Sequence, residues 1–312
     1  MFSKTLSRSA VSVLGVVFAV AVFIGFFGNI AIAQVPDELF TDPVLNGCGN
    51  NDEFTTDFLI DRCKFKTKGR NPYFILLPGW QFVLENEDED EREVVTVLYK
   101  KRKITLDGRK IYTRVVQERA LEWDDDVEDW ITVEISLNWI AICGQTNDVY
   151  YFGEDSKDCD LADTGGFNPE DESKCLNGYP PDTGGSWEAG KPPEGEDEPI
   201  AQPGILMPGT FLLGAKYFQE IAVNIEDPEE SAIDRGEHVA MGEDVEVPAG
   251  EWEDCVVVLD TNPAEAPEGC LDEDEKTYCP GIGIVKDQDL ELVSSGFVNK
   301  KGKPIKKKLK IK

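Results

Sequence analysis

Four aspartates crowd one short stretch. In "DSKDCDLADTGG", Asp155, Asp158, Asp160 and Asp163 alternate with small and polar residues before a Gly-Gly turn. Hard cations take several oxygen ligands, and a glycine-rich turn can wrap them, so this loop is the calcium candidate. Its spacing departs from the EF-hand pattern, which closes on a glutamate, and a solvated acidic loop is the plain alternative. No cofactor other than calcium is expected, because no G-x-x-x-x-G-K-[ST] and no strand-linked G-x-G-x-x-G occurs. The second candidate set is aromatic. Trp80, Trp139, Tyr150, Phe152, Trp187 and Phe211 are placed to line a concave sheet around an apolar ligand, although core packing uses the same residues. Serine-type catalysis needs a histidine, and the single one, His238, sits in "GEHVAMGED" with no G-x-S-x-G partner; it reads as an exposed strand residue. Carboxylate pairs for glycoside hydrolysis cannot be singled out among 61 acidic residues. No catalytic residue is assigned.

Eight cysteines, Cys48, Cys63, Cys143, Cys159, Cys175, Cys255, Cys270 and Cys279, make an even set with no C-x-x-C pair. With one histidine in the chain, zinc is a poor fit and disulfides the better reading. Eight cysteines allow 105 complete pairings. Two are singled out: Cys159 with Cys175, closing a flexible acidic loop, and Cys255 with Cys279, joining two late strands.

The start of the chain fits this redox reading. Lys4 and Arg8 precede an apolar run from Ala10 to Phe27, and Ala31-Ile32-Ala33 matches an A-x-A cleavage pattern before Gln34. Residues 1–33 therefore read as a signal peptide, and the protein as periplasmic or secreted. An uncleaved N-terminal anchor is the alternative, and it too leaves the rest outside the cytoplasm. The formal net charge of −30 repels nucleic acid and anionic lipid, so no nucleic-acid partner is expected.

The elements that must carry these residues are strands. A segment over 34–70 is irregular. Trp80 to Glu85, Glu93 to Tyr99 and Lys110 to Gln117 are β-like, with Asp107-Gly108 as a hairpin turn between the last two. Trp130 to Cys143 is the clearest strand. Ile131, Val133, Ile135, Leu137, Trp139, Ala141 and Cys143 share one face, while Thr132, Glu134, Ser136 and Asn138 form a wet one. The alternation fails at Ile140 and Ile142, so something must cover that end. Residues 154–203 hold 14 acids against Lys157, Lys174 and Lys191 and read as a long excursion from the β domain of 71–299. Gly214 to Ile225 is the one place for a short helix. Lys300 to Lys312 carries eight lysines and no acid, which predicts a disordered basic tail able to touch the cell envelope.

"YYFGE", "PGILMPG", "VPAGEWEDC" and "YCPGIGIVK" occur in that order. Together they resemble a widespread family of uncharacterised exported bacterial proteins, over about residues 63 to 297. The late motifs also look loosely like periplasmic proteins with a lipoprotein-carrier-like half-barrel. The resemblance implies a curved antiparallel sheet that cups apolar groups, and it supplies no catalytic residue.

The fold expected is mainly β: a single curved antiparallel sheet or half-barrel with few short helices. The function expected is an exported, non-catalytic protein binding an apolar or envelope-derived ligand, such as a lipid, on the concave face. The alternatives are an extracytoplasmic carboxylate-dependent hydrolase and a structural or adhesive surface protein.

Overall fold

The computed structural model describes residues 35–87, 90–192, 200–265, 270, 274–307 and 309. The expected signal segment lies outside them, as do 193–199 of the acidic excursion. Among the described residues, no helix is long and apolar enough to cross a membrane.

The β-like stretches join into one antiparallel sheet of 16 strands. Its continuous path uses, in chain order, β1 (Trp80–Glu85), β2 (Glu91–Leu106), β3 (Arg109–Asp124), β4 (Asp129–Cys143), β5 (Val149–Asp155), β6 (Gln202–Met207), β7 (Lys216–Phe218), β8 (Glu220–Ile221), β9 (Arg235–Val247), β10 (Gly250–Thr261), β11 (Asp274–Cys279), β12 (Gly283–Asp287) and β13 (Leu290–Val298). Across the sheet the order is β7-β9-β10-β11-β12-β13-β1-β2-β3-β4-β5-β6-β8. The Asp107-Gly108 turn joins β2 to β3 with φ of 48° and 74°, the positive values that a tight hairpin needs. Among the described residues, α-helices occupy only Glu38–Thr41 and Leu161–Thr164, with four short 3-10 turns elsewhere. Gly214 to Ile225, expected as a helix, instead supplies β7 and β8, because each finds a strand edge to pair with.

The two edge strands of the sheet, β7 and β8, are separated in the chain by Gln219 alone. The sheet must therefore curl until its two ends meet at that residue, without hydrogen-bonded closure into a barrel. Two glycines let the ends approach. A Cβ on Gly204 of β6 would lie 2.2 Å from the Gln219 carbonyl oxygen, and one on Gly236 of β9 would lie 2.8 Å from Gln219 Nε2. Gly204→Ala is expected to lower stability by about 1–3 kcal/mol through overpacking of this seam. Urea unfolding measures it, and an unchanged midpoint would refute the close approach.

The strand β4 keeps the expected alternation but not the expected exposure. Its polar residues Glu134, Ser136 and Asn138 face the inside of the curl, where they line a cavity with Ile140. Its apolar side is covered instead. The excursion first runs along β4, with Ile135 N donating to the Lys157 carbonyl and Cys159 N to that of Val133. It then packs Cys159, Phe167 and Cys175 on Ile135. Ile142 is covered at the other end, where Phe65–Lys66 pairs with Ile142 and Cys143 and Gly69 abuts its side chain.

All eight cysteines are paired: Cys48–Cys270, Cys63–Cys143, Cys159–Cys175 and Cys255–Cys279. Both pairings singled out from the sequence are present. The N-terminal segment is anchored by a second core, in which Leu39, Leu45 and Phe54 meet Phe218, Ile221 and Val223. Arg235 is buried beneath it, donating to Asn50 and Asn51 at 2.8 and 2.7 Å. The lysine tail is less free than its charge suggested. Pro304–Ile305 pairs with Val298 and Phe297, and Lys307 sits 3.9 Å over the Phe297 ring. The tail is held here by strand pairing with β13 and by Leu309, which packs against the main core.

A carboxyl-lined lumen as candidate functional site

The inside of the curl holds a cavity of about 290 Å³. Its lining is dictated by strand register, since alternate residues of neighbouring strands must share a face. One such row runs Val97, Val116, Asn138 and Glu154 across β2 to β5, and Phe82 leads a second through Val95. Glu118 stands opposite Ser136, and Glu93 is two residues before Val95. Trp80, Phe82, Val95, Val97 and Ile284 supply the apolar part of the lining. Interleaved with them is a carboxyl wall of Glu93, Glu118, Glu134, Glu154 and Glu220, brought together from five different strands, with Glu93 on the same strand face as Val95.

The hydrogen bonds of this wall are specific. Glu154 Oε2 accepts from Ser136 Oγ and from the Tyr151 hydroxyl, each at 2.9 Å. Tyr151 also bonds Asn138 Oδ1, and Asn138 Nδ2 reaches Glu118 Oε2 at 3.4 Å. Ser156 Oγ donates to Glu134 at 3.2 Å. Among the described residues, Lys276 is the only cation lining the cavity, and it is committed to Asp260 and Asp287 at 3.1 and 3.6 Å. Glu93, Glu118, Glu134, Glu154 and Glu220 form no ion pair with a basic side chain among the described residues.

Burial favours the neutral acid, and Lys276 offsets it only in part at Glu93, Glu118 and Glu220. Burial, then Glu118, pushes Glu93 well above the carboxylate range, and the two share a hydrogen bond. Burial raises Glu118 and Glu134 as well. Glu220 is raised well above its ordinary value by burial, then by Glu154 and Asp234. For Glu154, burial outweighs the Ser136 and Tyr151 hydrogen bonds and lifts it to about 7. Burial opposes the Lys276 ammonium, but Asp260 and Asp287 overcome it and hold the group well above its usual value.

The six aromatic candidates share the main core, five of them buried in it and Phe211 packed against it. Only Trp80 lines the cavity. Trp139 lies under the Arg102 guanidinium at 3.6 Å. Tyr150 and Phe152 meet Phe65 at 5.2 and 5.1 Å, in the core beneath the N-terminal segment. Trp187 packs edge-on to Tyr151 at 5.4 Å. Phe211 stacks on His238 at 3.8 Å. His238 itself is fully buried, not exposed, and bonds the Tyr217 hydroxyl at 3.0 Å. Burial pushes it down to about 4, so it is a neutral core residue.

The aspartate loop divides in the same way. Asp158, Asp160 and Asp163 border a shallow depression with Asp182, whereas Asp155 ends β5. Asp160 is occupied as a helix cap, accepting from Asp163 N at 2.8 Å. Among the described residues, no three acidic, histidine or cysteine side chains are placed to hold a metal ion.

The residues that sequence reasoning missed are the lumen glutamates. Their one signal was Glu134-x-Ser136-x-Asn138, polar at alternate positions of a strand whose other face is apolar. Comparison with family models, with curated proteins and with solved structures returns no match.

Proposed function

We propose that the protein is an exported, non-catalytic binding protein that holds an amphipathic ligand in the lumen of its curled sheet. The observation that carries this reading is the mixed lining of the cavity, in which apolar side chains from Trp80 to Ile284 lie among a group of carboxyls. A ligand that is apolar throughout would leave those carboxyls dry and unpartnered, which is costly. A ligand that is polar throughout would waste the apolar lining. The four disulfides suit an oxidising, extracytoplasmic compartment, and the apolar N-terminal run suits export. Titration with the uncharged dye Nile red tests the reading. A saturable, one-site emission increase that is weakened by Phe82→Asp is expected. No uptake by the folded protein would overturn the proposal.

The hydrolase alternative is favoured by one observation, the hydrogen bond between the buried carboxyls of Glu93 and Glu118. Two carboxyls in contact can share one proton. Catalysis further requires two carboxyls held at a defined separation across a scissile bond, whereas binding requires only complementarity. Release of nitrophenol from nitrophenyl glycosides, abolished by Glu118→Gln, would move the assignment to that class.

A further inference from the structure

The charge of the lumen narrows the ligand class, on the premise that the lumen is the binding site. Among the described residues, eight carboxyl side chains line it, the five glutamates with Asp234, Asp260 and Asp287, against one basic side chain, Lys276, which pairs with Asp260 and Asp287. Buried carboxyls in this state are stabilised by any cation that enters with them, because a charge-assisted hydrogen bond is stronger in a poorly solvated site. A second observation comes from Trp80. Trp80 is only 5% exposed and lines the same cavity, yet its Nε1–H has no hydrogen-bond partner among the described residues. A buried donor of this kind calls for an acceptor, and the ligand is the group that can bring one.

We infer that the lumen binds an amphipathic amine, with its ammonium group among Glu118, Glu154 and Glu220 and its alkyl part along Trp80, Phe82 and Val95. The indole of Trp80 adds a preference for a hydroxyl beside the amine, so amino alcohols are the best-matched members of the class. An ammonium supplies donors only, which suits carboxylates, and a neighbouring hydroxyl supplies the acceptor that the indole lacks. Fatty acids and other anionic amphiphiles are excluded by the same wall. The geometry thus separates ligands that share one alkyl chain and differ only in the head group.

Calorimetric titration of the full-length folded protein at pH 7 with octylamine, 1-octanol and octanoate tests this. Octylamine is expected to bind about ten-fold or more tighter than 1-octanol, with octanoate weaker than both. In Glu154→Gln the preference for the amine should shrink by several-fold while 1-octanol binding stays. In Trp80→Phe, which keeps the ring and removes the N–H, 2-amino-1-octanol should lose its advantage over octylamine. Equal binding of octylamine and 1-octanol to the wild type would overturn the amine assignment and leave the amphipathic lumen standing. Failure of all three to bind would overturn both. A wild-type preference that persists unchanged in Glu154→Gln and Glu220→Gln would place the cation elsewhere and refute this site.

Discussion

Replacing Cys48 and Cys270 together with serine is expected to cost about 4 kcal/mol of stability. This disulfide closes a separation of 222 residues, the longest of the four. Cys63–Cys143 and Cys159–Cys175 lie inside that loop and shorten it, yet on the order of a hundred residues remain constrained. A cross-link of that span removes much chain entropy from the unfolded state, where the native strands offer no compensation. It also ties the N-terminal segment, with Leu39, Leu45 and Phe54, to the connection between β10 and β11. Chemical unfolding of the double variant gives the difference directly. A loss under about 1 kcal/mol would mean that the second core holds the segment without the bond. Hydrogen exchange should show the first opening at Leu39 and Leu45.

Glu154→Gln is expected to stabilise the protein at alkaline pH and to leave it unchanged in acid. In the folded chain this carboxyl titrates at about 7, against an ordinary value of 4.5. Between those values the folded state keeps a proton that the unfolded state has released. Stability is therefore fully present below about pH 4.5 and falls as pH rises, until the loss is complete above about 7. Glutamine mimics the protonated form at every pH. The variant should match the wild type near pH 4 and exceed it by up to about 3 kcal/mol near pH 8, with solvent access reducing that figure. His238 acts with the opposite sign, since its value is depressed to about 4 and stability is lost as pH falls toward it. The two contributions overlap in the wild-type curve, so the difference between variant and wild type is the informative quantity. Urea unfolding at pH 4, 6 and 8 provides it. A difference that does not change with pH would show that Glu154 is not held protonated.

The β class was readable in the sequence because strand patterns are local. Trp130 to Asn138 alternates residue by residue, and Asp107-Gly108 marks the β2–β3 turn, each without help from distant parts of the chain. The disulfide count and two of the pairings were legible as well, since Cys159 and Cys175 are near neighbours and Cys255 and Cys279 fall on adjacent strands. Cys48–Cys270 was not, because nothing local records a contact across 222 residues. The same limit hid which face of β4 is wet. Alternation separates two faces but does not say which one the chain will later cover. Only the excursion folding back over Ile135, and the sheet curling until its ends met at Gln219, turned Glu134, Ser136 and Asn138 inward. That curl also selected five glutamates from 61 acidic residues and gathered them around one cavity. Composition and periodicity determined that this chain makes an acidic, disulfide-bonded β-sheet. Register and curvature, which are long-range properties of the whole sheet, decided where its buried charge would lie.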